Sequence, residues 1–363
     1  LKENEGFSYA SSYGRPEIRT AWKNVLYKKN PSLVNEQFST PVVTSALTHG
    51  LSMAGYLFVN ENDTIISPDY HWENYDLIFS HAYNGVIKTF PLFTSENGFN
   101  VRGLEEKLAE GEIGKKIIIL NFPNNPTGYT VTNTEAQQIK NVLVESANRG
   151  NEILVFIDDA YFGLVFEKDI LKESMFSLLA NAHEKILAVK LDGPTKEDYV
   201  WGFRVGFITF GVANGSENLY HALESKLAGA IRGNISNASN IAQSLLLSAY
   251  FNKNYENEKK EKYQILQKRY QKIREIINSH PEYNQYFTPY PFNSGYFMCV
   301  KLIDINSERI RKLLLDKYST GVITQGDIVR IAFSSLPYNT IEKLFQNLYC
   351  AARECITNDG QSQ

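Results

Sequence analysis

Five side chains of complementary chemistry stand just outside short apolar runs in this 363-residue sequence. Beyond Ile117–Leu120 lies Asn121-Phe122-Pro123-Asn124-Asn125-Pro126-Thr127-Gly128, which offers the amide of Asn125. Beyond Ile153–Ile157 lies Asp158-Asp159-Ala160-Tyr161, a carboxylate followed closely by a phenol. The run Lys185–Lys190 continues into Asp192-Gly193-Pro194-Thr195-Lys196 and its amine, and Gly202-Phe203-Arg204 precedes Val205–Phe210. In open α/β sheets, ligands bind beyond the carboxyl ends of the strands. These groups are therefore expected on a single rim. One amide, one carboxylate with a phenol, one amine and one guanidinium suit a planar aromatic cofactor that carries a phosphate.

The elements that must position these groups are legible from patterning. The apolar runs are short, β-branched and two-sided, as in buried strands of a mainly parallel sheet. Helical segments fit between them, for example Thr134–Asn148, so the layering is α/β. Asp63–Ser67 is strand-like and leads into Pro68-Asp69-Tyr70. Thr44–Gly50 precedes the helical run Leu51–Phe58. From about Asn240 to Ser279 the pattern is helical and charged, predicting one or two long helices. Tyr296–Leu302 and Ile328–Phe333 are expected as strands, and Ser307–Tyr318 and Thr340–Ile356 as helices. The expected organisation is a large α/β domain over residues 1–275 and a smaller α+β domain over residues 276–363.

Composition bounds the function. Apolar residues make up 43% and charged residues 21%, globular values that exclude a disordered or collagen-like chain. Thirty-seven basic against 40 acidic residues leave a net charge of −3, hence no global basic field for nucleic acid or an anionic membrane. The three cysteines form no CxxC and no disulfide framework. They are expected to be reduced thiols of a cytoplasmic protein, and no metal centre is expected. No apolar run reaches the roughly 18–20 residues that span a bilayer. The chain opens Leu-Lys-Glu without Met, so a processed or trimmed start is expected.

Asn-Pro-Thr-Gly at Asn125–Gly128, Asp-x-Ala-Tyr at Asp158–Tyr161, and Lys196 followed eight residues later by Arg204-Val205-Gly206 occur in one order and spacing. In these the chain resembles the pyridoxal 5′-phosphate-dependent aminotransferases of fold type I, class I/II, the aspartate aminotransferase superfamily. The match covers nearly the whole chain. It implies a large domain around a mainly parallel, seven-stranded-type sheet, and a smaller C-terminal domain. The resemblance also implies tens of residues before the segment matched by Tyr9, so the usual N-terminal part of the small domain is expected to be absent from this sequence.

The resemblance also implies roles. Lys196 would be the Schiff-base lysine and the base that moves the substrate's α proton; alone, a lysine in a Gly-Pro turn would be a solvated surface residue. Asp158 would face the pyridine nitrogen, although an Asp after a strand is also a common helix cap. Tyr161 and Asn125 would donate to the ring's phenolate oxygen, Tyr70 would stack on the ring face, and Arg204 would pair with the phosphate. Ala46, Leu47 and Thr48 would add donors at a helix N-terminus, with His49 near the ligand or merely structural. Arg330, in Val329-Arg330-Ile331-Ala332-Phe333, would clamp the substrate α-carboxylate together with Asn125. Tyr9 would reach the phosphate of a neighbouring subunit, with Tyr13 competing for that role. The implied assembly is a homodimer with shared active sites.

One departure stands out. The family usually has Ser three residues before the lysine, and here that position is Gly193, with Thr195 as a possible replacement. Arg232 in Arg232-Gly233-Asn234-Ile235-Ser236-Asn237 resembles an arginine that takes the distal carboxylate of a dicarboxylic substrate from the other subunit, or it is simply solvated. Aspartate and glutamate, or aromatic amino acids, are the expected amino donors, with a 2-oxo acid as acceptor. A PLP-dependent C–S lyase acting by β-elimination uses the same lysine, Asp158 and Arg330. A non-catalytic PLP-sensing regulator is a further alternative, though no basic helix-turn-helix segment is visible.

Overall fold

The computed structural model describes residues 3–359. The chain divides into two compact units. The first holds the chain up to Pro123, Val131–Gly163 and Asp169–Glu256. The second holds Asn124–Thr130, Leu164–Lys168 and the chain from Asn257 onward.

In the first unit, strands β1 (Val42–Thr44), β2 (Thr64–Pro68), β3 (Val86–Phe90), β4 (Lys115–Asn121), β5 (Glu152–Asp158), β6 (Ile186–Asp192) and β7 (Gly206–Gly211) form one sheet. Their order is β1-β7-β6-β5-β4-β2-β3. Every neighbouring pair is parallel except those of β7, which runs antiparallel to β6 and β1. This is the mainly parallel sheet expected from the apolar runs, with the seven strands that the family resemblance implied. Past their first residues β4 and β5 are buried throughout, and β6 nearly so, which is why their sequences are unbroken apolar runs. The edge strand β3 exposes most of its side chains, and Val-Ile-Lys-Thr-Phe shows neither a run nor an alternation to mark it.

The helices of this unit are α1 (Glu3–Gly6), α2 (Pro16–Lys29), α3 (Ala46–Phe58), α4 (Val101–Ala109), α5 (Asn133–Asn148), α6 (Met175–Leu179), α7 (Pro194–Glu197), α8 (Glu217–Asn234) and α9 (Asn240–Tyr250). A capping box opens α5: Thr132 accepts from the Glu135 amide while Glu135 accepts from the Thr132 amide. The core joins Leu51, Val189, Leu191, Ile208 and Phe210 to a stack of Phe79 on Phe156, with ring centroids 5.5 Å apart.

The reversal of β7 sets up the functional rim. Gly206 at its start pairs with Thr44 at the end of β1, and Phe207 pairs with Asp192 at the end of β6. The carboxyl ends of β1, β2, β4, β5 and β6 thus share one edge of the sheet with the residues that lead into β7.

The second unit contains all but the first two residues of α10 (Tyr255–Ser279), with β8 (Phe287–Pro289), β9 (Met298–Leu302), α11 (Ser307–Tyr318), β10 (Ile323–Gln325), β11 (Ile328–Ile331) and α12 (Ile341–Asp359). Its four strands are antiparallel in the order β10-β11-β9-β8. The charged stretch read from the sequence resolves into α9 and α10. In α10, Leu266, Tyr270, Ile273 and Ile276 form one buried stripe at helical spacing, and the other faces carry the charges. Among the described residues no helix is long and apolar enough to cross a membrane.

Candidate active site

Lys196 lies in the four-residue helix α7, which follows β6 after one extended glycine. Its side chain is half-buried, with Nζ 5.5 Å from the centroid of the Tyr161 ring. Burial first, and the Arg204 guanidinium second, push its amine below the usual lysine range. A neutral amine is what a nucleophile or base requires. Arg204 lies two residues before β7 and takes a left-handed conformation at φ 54°, as does Ala46 at φ 63° in the first turn of α3. Left-handed backbone at non-glycine residues is uncommon and strained. Here it occurs at two of the positions expected to meet a phosphate.

Asp158 closes β5 and is buried. Its Oδ1 accepts from the Ala160 amide at 3.0 Å and its Oδ2 from the Tyr75 hydroxyl at 2.6 Å. The Asn121 side-chain amide donates to its backbone carbonyl at 2.8 Å. Burial pushes the Asp158 carboxyl up to about 6, against the two donors that favour its charged form. Tyr75 was not anticipated from the sequence. It is wholly buried, and burial together with the Asp158 charge holds its hydroxyl well above the ordinary tyrosine range, so it remains a donor. The available signal was a second tyrosine shortly after Tyr70, indistinguishable in a string from core packing.

At the N-terminus of α3, Ala46, Leu47 and Thr48 occupy the first helical positions, whose amides have no partner within the helix. His49 plays a local part: its Nδ1 accepts from the Ser45 amide at 3.0 Å. Tyr70 is half-buried just past β2, in a loop tied to β3 by Asp69, whose amide donates to the Phe90 carbonyl at 2.8 Å. Next to Lys196, the Thr195 hydroxyl is buried and, among the described residues, has no hydrogen-bond partner. A Cβ at Gly193 would sit 2.8 Å from the Val205 carbonyl oxygen. The serine of the family pattern does not fit this backbone, and Thr195 is the hydroxyl the turn offers instead. An orphaned hydroxyl, a guanidinium, free helix amides and a depressed amine fit a phosphate-bearing aldehyde. The buried carboxylate with its two donors fits a ring nitrogen.

The second unit presents its own group. Arg330 on β11 faces Cys299 on β9 in register. Its guanidinium carbon stands 4.7 Å from the Phe297 ring centroid, and Nη1 donates to Asn125 Oδ1 at 3.2 Å. Its Nε is buried without a partner among the described residues. Asn125 belongs to a tight turn in which Thr127 donates through its amide and hydroxyl to Asn124 Oδ1, at 3.1 and 2.7 Å. Gly128 has φ +74°, and a Cβ there would meet the carbonyl oxygens of Phe297 and Ser294, so only glycine suits the position. Phe297, whose ring lies beneath the Arg330 guanidinium carbon, was likewise not anticipated from the sequence.

Tyr9 and Arg232 stand apart. Tyr9 is 90% exposed and Arg232 is exposed in the last turn of α8. Among the described residues no hydrogen bond or ion pair ties either to the rim. Tyr13 is committed within its own unit: its hydroxyl donates to Ser225 Oγ at 2.9 Å, and Arg19 lies over its ring.

The profile of the family described as aminotransferase class I and II matches residues 1–348. Aspartate aminotransferase of Sulfurisphaera tokodaii is 26% identical over 208 residues, 56% of this chain and 48% of that protein. Aspartate aminotransferase of Bacillus subtilis is 27% identical over 250 residues, 68% of this chain and 58% of that protein. The aligned stretch thus spans about half the length of these relatives. An aminotransferase of Anaerococcus prevotii superposes with a TM-score of 0.83 at 23% identity, covering 97% of this chain and 84% of that one. Pyrococcus horikoshii kynurenine aminotransferase, solved with PMP, gives a TM-score of 0.80 at 18% identity, with 97% and 83% covered. The chain carries fold type I and belongs to the class I and II aminotransferase family.

Proposed function

We propose that this protein is a pyridoxal 5′-phosphate-dependent aminotransferase. It would move the amino group of an L-amino acid, aspartate, glutamate or an aromatic one, to a 2-oxo acid. The observation that carries this reading is the depressed amine of Lys196 beside Arg204 and Tyr161, on the rim where the buried Asp158 also lies.

When bound, pyridoxal 5′-phosphate supplies an aldehyde that condenses with amines and a ring that takes up the electron pair left by a departing α proton. Arg204, Thr195 and the amides of Ala46, Leu47 and Thr48 would hold its phosphate, and Tyr70 would cover its ring. Asp158 would hold the ring nitrogen protonated. Tyr161 and Asn125 would donate to its phenolate oxygen. Lys196 Nζ would hold the aldehyde, then take the substrate's Cα proton and return it on the other side of the transfer. Arg330 would grip the α-carboxylate through its fork, with Phe297 and Asn125 fixing the guanidinium plane.

The reading extends to a cytoplasmic homodimer with shared sites, in which the partner subunit would meet the exposed Tyr9 and Arg232. The packed Tyr13 ring supports Tyr9 over Tyr13 for that role.

The visible absorption spectrum of the purified protein tests the proposal, taken before and after glutamate or aspartate and beside Lys196→Ala. The expected result is a yellow protein that bleaches with the amino acid and regains its band with a 2-oxo acid. Release of ammonia and pyruvate from a β-substituted amino acid, with no such cycling, would turn the assignment to a lyase. Failure of wild type to take up the cofactor would overturn it.

A further inference from the structure

The Lys196 turn is flanked by three carboxylates, and each is held by a different donor outside the rim. Asp192, four residues before the lysine, accepts at Oδ1 from the Trp22 indole N–H on α2, at 3.0 Å. Its Oδ2 lies 3.4 Å from Lys190 Nζ. Glu197, the next residue after the lysine, is paired with Lys29 at the end of α2. Asp198 accepts at Oδ2 from the Tyr250 hydroxyl on α9, at 3.1 Å.

The donors are themselves fixed. Trp22 stacks on Phe207 with centroids 4.4 Å apart and planes 9° from parallel, and its ring centroid lies 6.3 Å from that of Tyr250. Lys29 Nζ lies over the Trp22 ring at 5.4 Å. Lys190 is completely buried and also pairs with Asp159, which accepts from the Ser174 hydroxyl at 2.5 Å. Charges in such numbers are rarely buried for stability alone, because desolvation offsets most of what their pairing contributes. A role in fixing one geometry is better attested.

We propose that Trp22, Lys29 and Tyr250 are positioning residues for the Lys196 amine: by pinning Asp192, Glu197 and Asp198 they hold that amine half-buried against Tyr161 and Arg204. The consequence follows from elementary electrostatics. The turn offers one extended glycine and a four-residue helix, too little to fix a long side chain by itself. Release of any pinned carboxylate lets the turn rise toward water. The amine is then better hydrated and farther from Arg204, and both changes favour its charged form. A charged amine neither attacks an aldehyde nor accepts a proton.

This inference rests on Lys196 as the cofactor lysine, and the experiment separates the two. Wild type, Lys29→Met, Lys29→Arg, Tyr250→Phe and Trp22→Phe are each stripped of cofactor and mixed with pyridoxal 5′-phosphate over a pH series. Borohydride then fixes the adduct, and the Lys196 peptide is quantified by mass spectrometry, with melting temperature measured in parallel. In wild type the label must fall on Lys196; if it does not, the assignment of the lysine fails first. With that satisfied, the labelling midpoint of Lys29→Met and Tyr250→Phe is expected to rise by roughly half a unit to one unit, a roughly three- to tenfold loss of labelling at a fixed pH below it. Lys29→Arg, which keeps the charge, is expected to stay within a small fraction of that. Midpoints equal to wild type in Lys29→Met and Tyr250→Phe, whatever their melting temperatures, would overturn the proposal. So would a shift in Lys29→Arg as large as in Lys29→Met. Trp22→Phe keeps the ring stack and loses the N–H; if it is too unstable to label, the other variants still decide.

Discussion

The Tyr75 hydroxyl donates to Asp158 Oδ2 at 2.6 Å, and both residues are buried. The pair joins a residue beyond β2 to the end of β5, so it spans the rim across β4. Its effect on Asp158 is opposed to that of burial: removal from water favours the neutral acid, while the phenol and the Ala160 amide favour the anion. An anion there is what a ring nitrogen needs to remain protonated.

Tyr75→Phe should therefore raise the pH at which Asp158 ionises. A hydrogen bond to a charged group contributes about 1.5–3 kcal/mol, which corresponds to about one to two pH units. The acid limb of the kcat/KM profile is expected to move up by that amount, with the basic limb in place. An unchanged acid limb would show that the phenol is spectator packing.

The same carboxyl gives a stability prediction for the cofactor-free protein. The folded value of about 6 lies above the ordinary Asp value of 3.8. A group raised on folding binds its proton more tightly in the folded chain, so its contribution is full below the unfolded value and lost as pH rises through the folded one. The contribution of Asp158 to wild-type stability should thus decline between about pH 4 and pH 7, and the buried Asp159 and Asp192 act in the same sense. Asp158→Asn should shed its share of that slope while cutting activity at least about 100-fold. Denaturant titrations at pH 4.5 and 7 would check it; an identical slope in the variant would refute the linkage.

Many of the candidate residues were legible as candidates in the sequence, for a physical reason. Asp158, Tyr161, Lys196 and Arg204 in the first unit, and separately Asn125 in the second, each sit where a two-sided apolar strand meets a polar turn, and that transition is written in the local string. β3 was not legible, because an edge strand exposes the face that would carry the pattern. Tyr75 and Phe297 were missed for another reason. Their roles depend on partners 83 and 33 residues away, Asp158 and Arg330, and no local pattern encodes such a pairing. The three pinned carboxylates around Lys196 were hidden likewise, since a charged residue in a turn looks the same whether it is solvated or held.

Ala46 is a place where the sequence is not optimal for its own backbone. Its φ of 63° costs an L-residue roughly 1–2 kcal/mol, partly offset in an exchange for glycine by the greater freedom of the unfolded chain. Ala46→Gly is expected to stabilise the protein by about 0.5–1 kcal/mol, readable as a rise in melting temperature, with the phosphate-facing amides kept. Ala46→Val should destabilise it. A loss of stability in Ala46→Gly would mean that the side chain's burial in the core outweighs the strain.

Gly193→Ser would restore the hydroxyl of the family pattern, and the structure predicts that the restoration fails. The new Cβ would meet the Val205 carbonyl oxygen at 2.8 Å and the Gly206 Cα at 3.0 Å, both backbone atoms that cannot swing aside. The expected cost is about 1–3 kcal/mol in stability, with weaker cofactor binding. Thr195→Val, which keeps the shape and removes the orphaned hydroxyl, should leave stability nearly unchanged and weaken cofactor binding by about tenfold. Equilibrium titration with pyridoxal 5′-phosphate distinguishes these cases. Tighter binding in Gly193→Ser would show that the turn can open to admit a side chain, and unaltered binding in Thr195→Val would remove its hydroxyl from the phosphate site.

Arg330→Lys keeps the charge at the substrate carboxylate but loses the planar fork and the face that lies on Phe297. One charge-assisted hydrogen bond and its orientation are lost, so kcat/KM should fall by about 10–100-fold. Phe297→Leu leaves the fork intact and removes only its platform. It should cost less, about three- to tenfold, since a cation over a ring contributes about 0.5–2 kcal/mol. The two changes act on one group, so the double variant should fall short of the product of the single effects. Steady-state kinetics on the three variants with one amino donor checks the coupling; full multiplicativity would show that Phe297 does not act through Arg330.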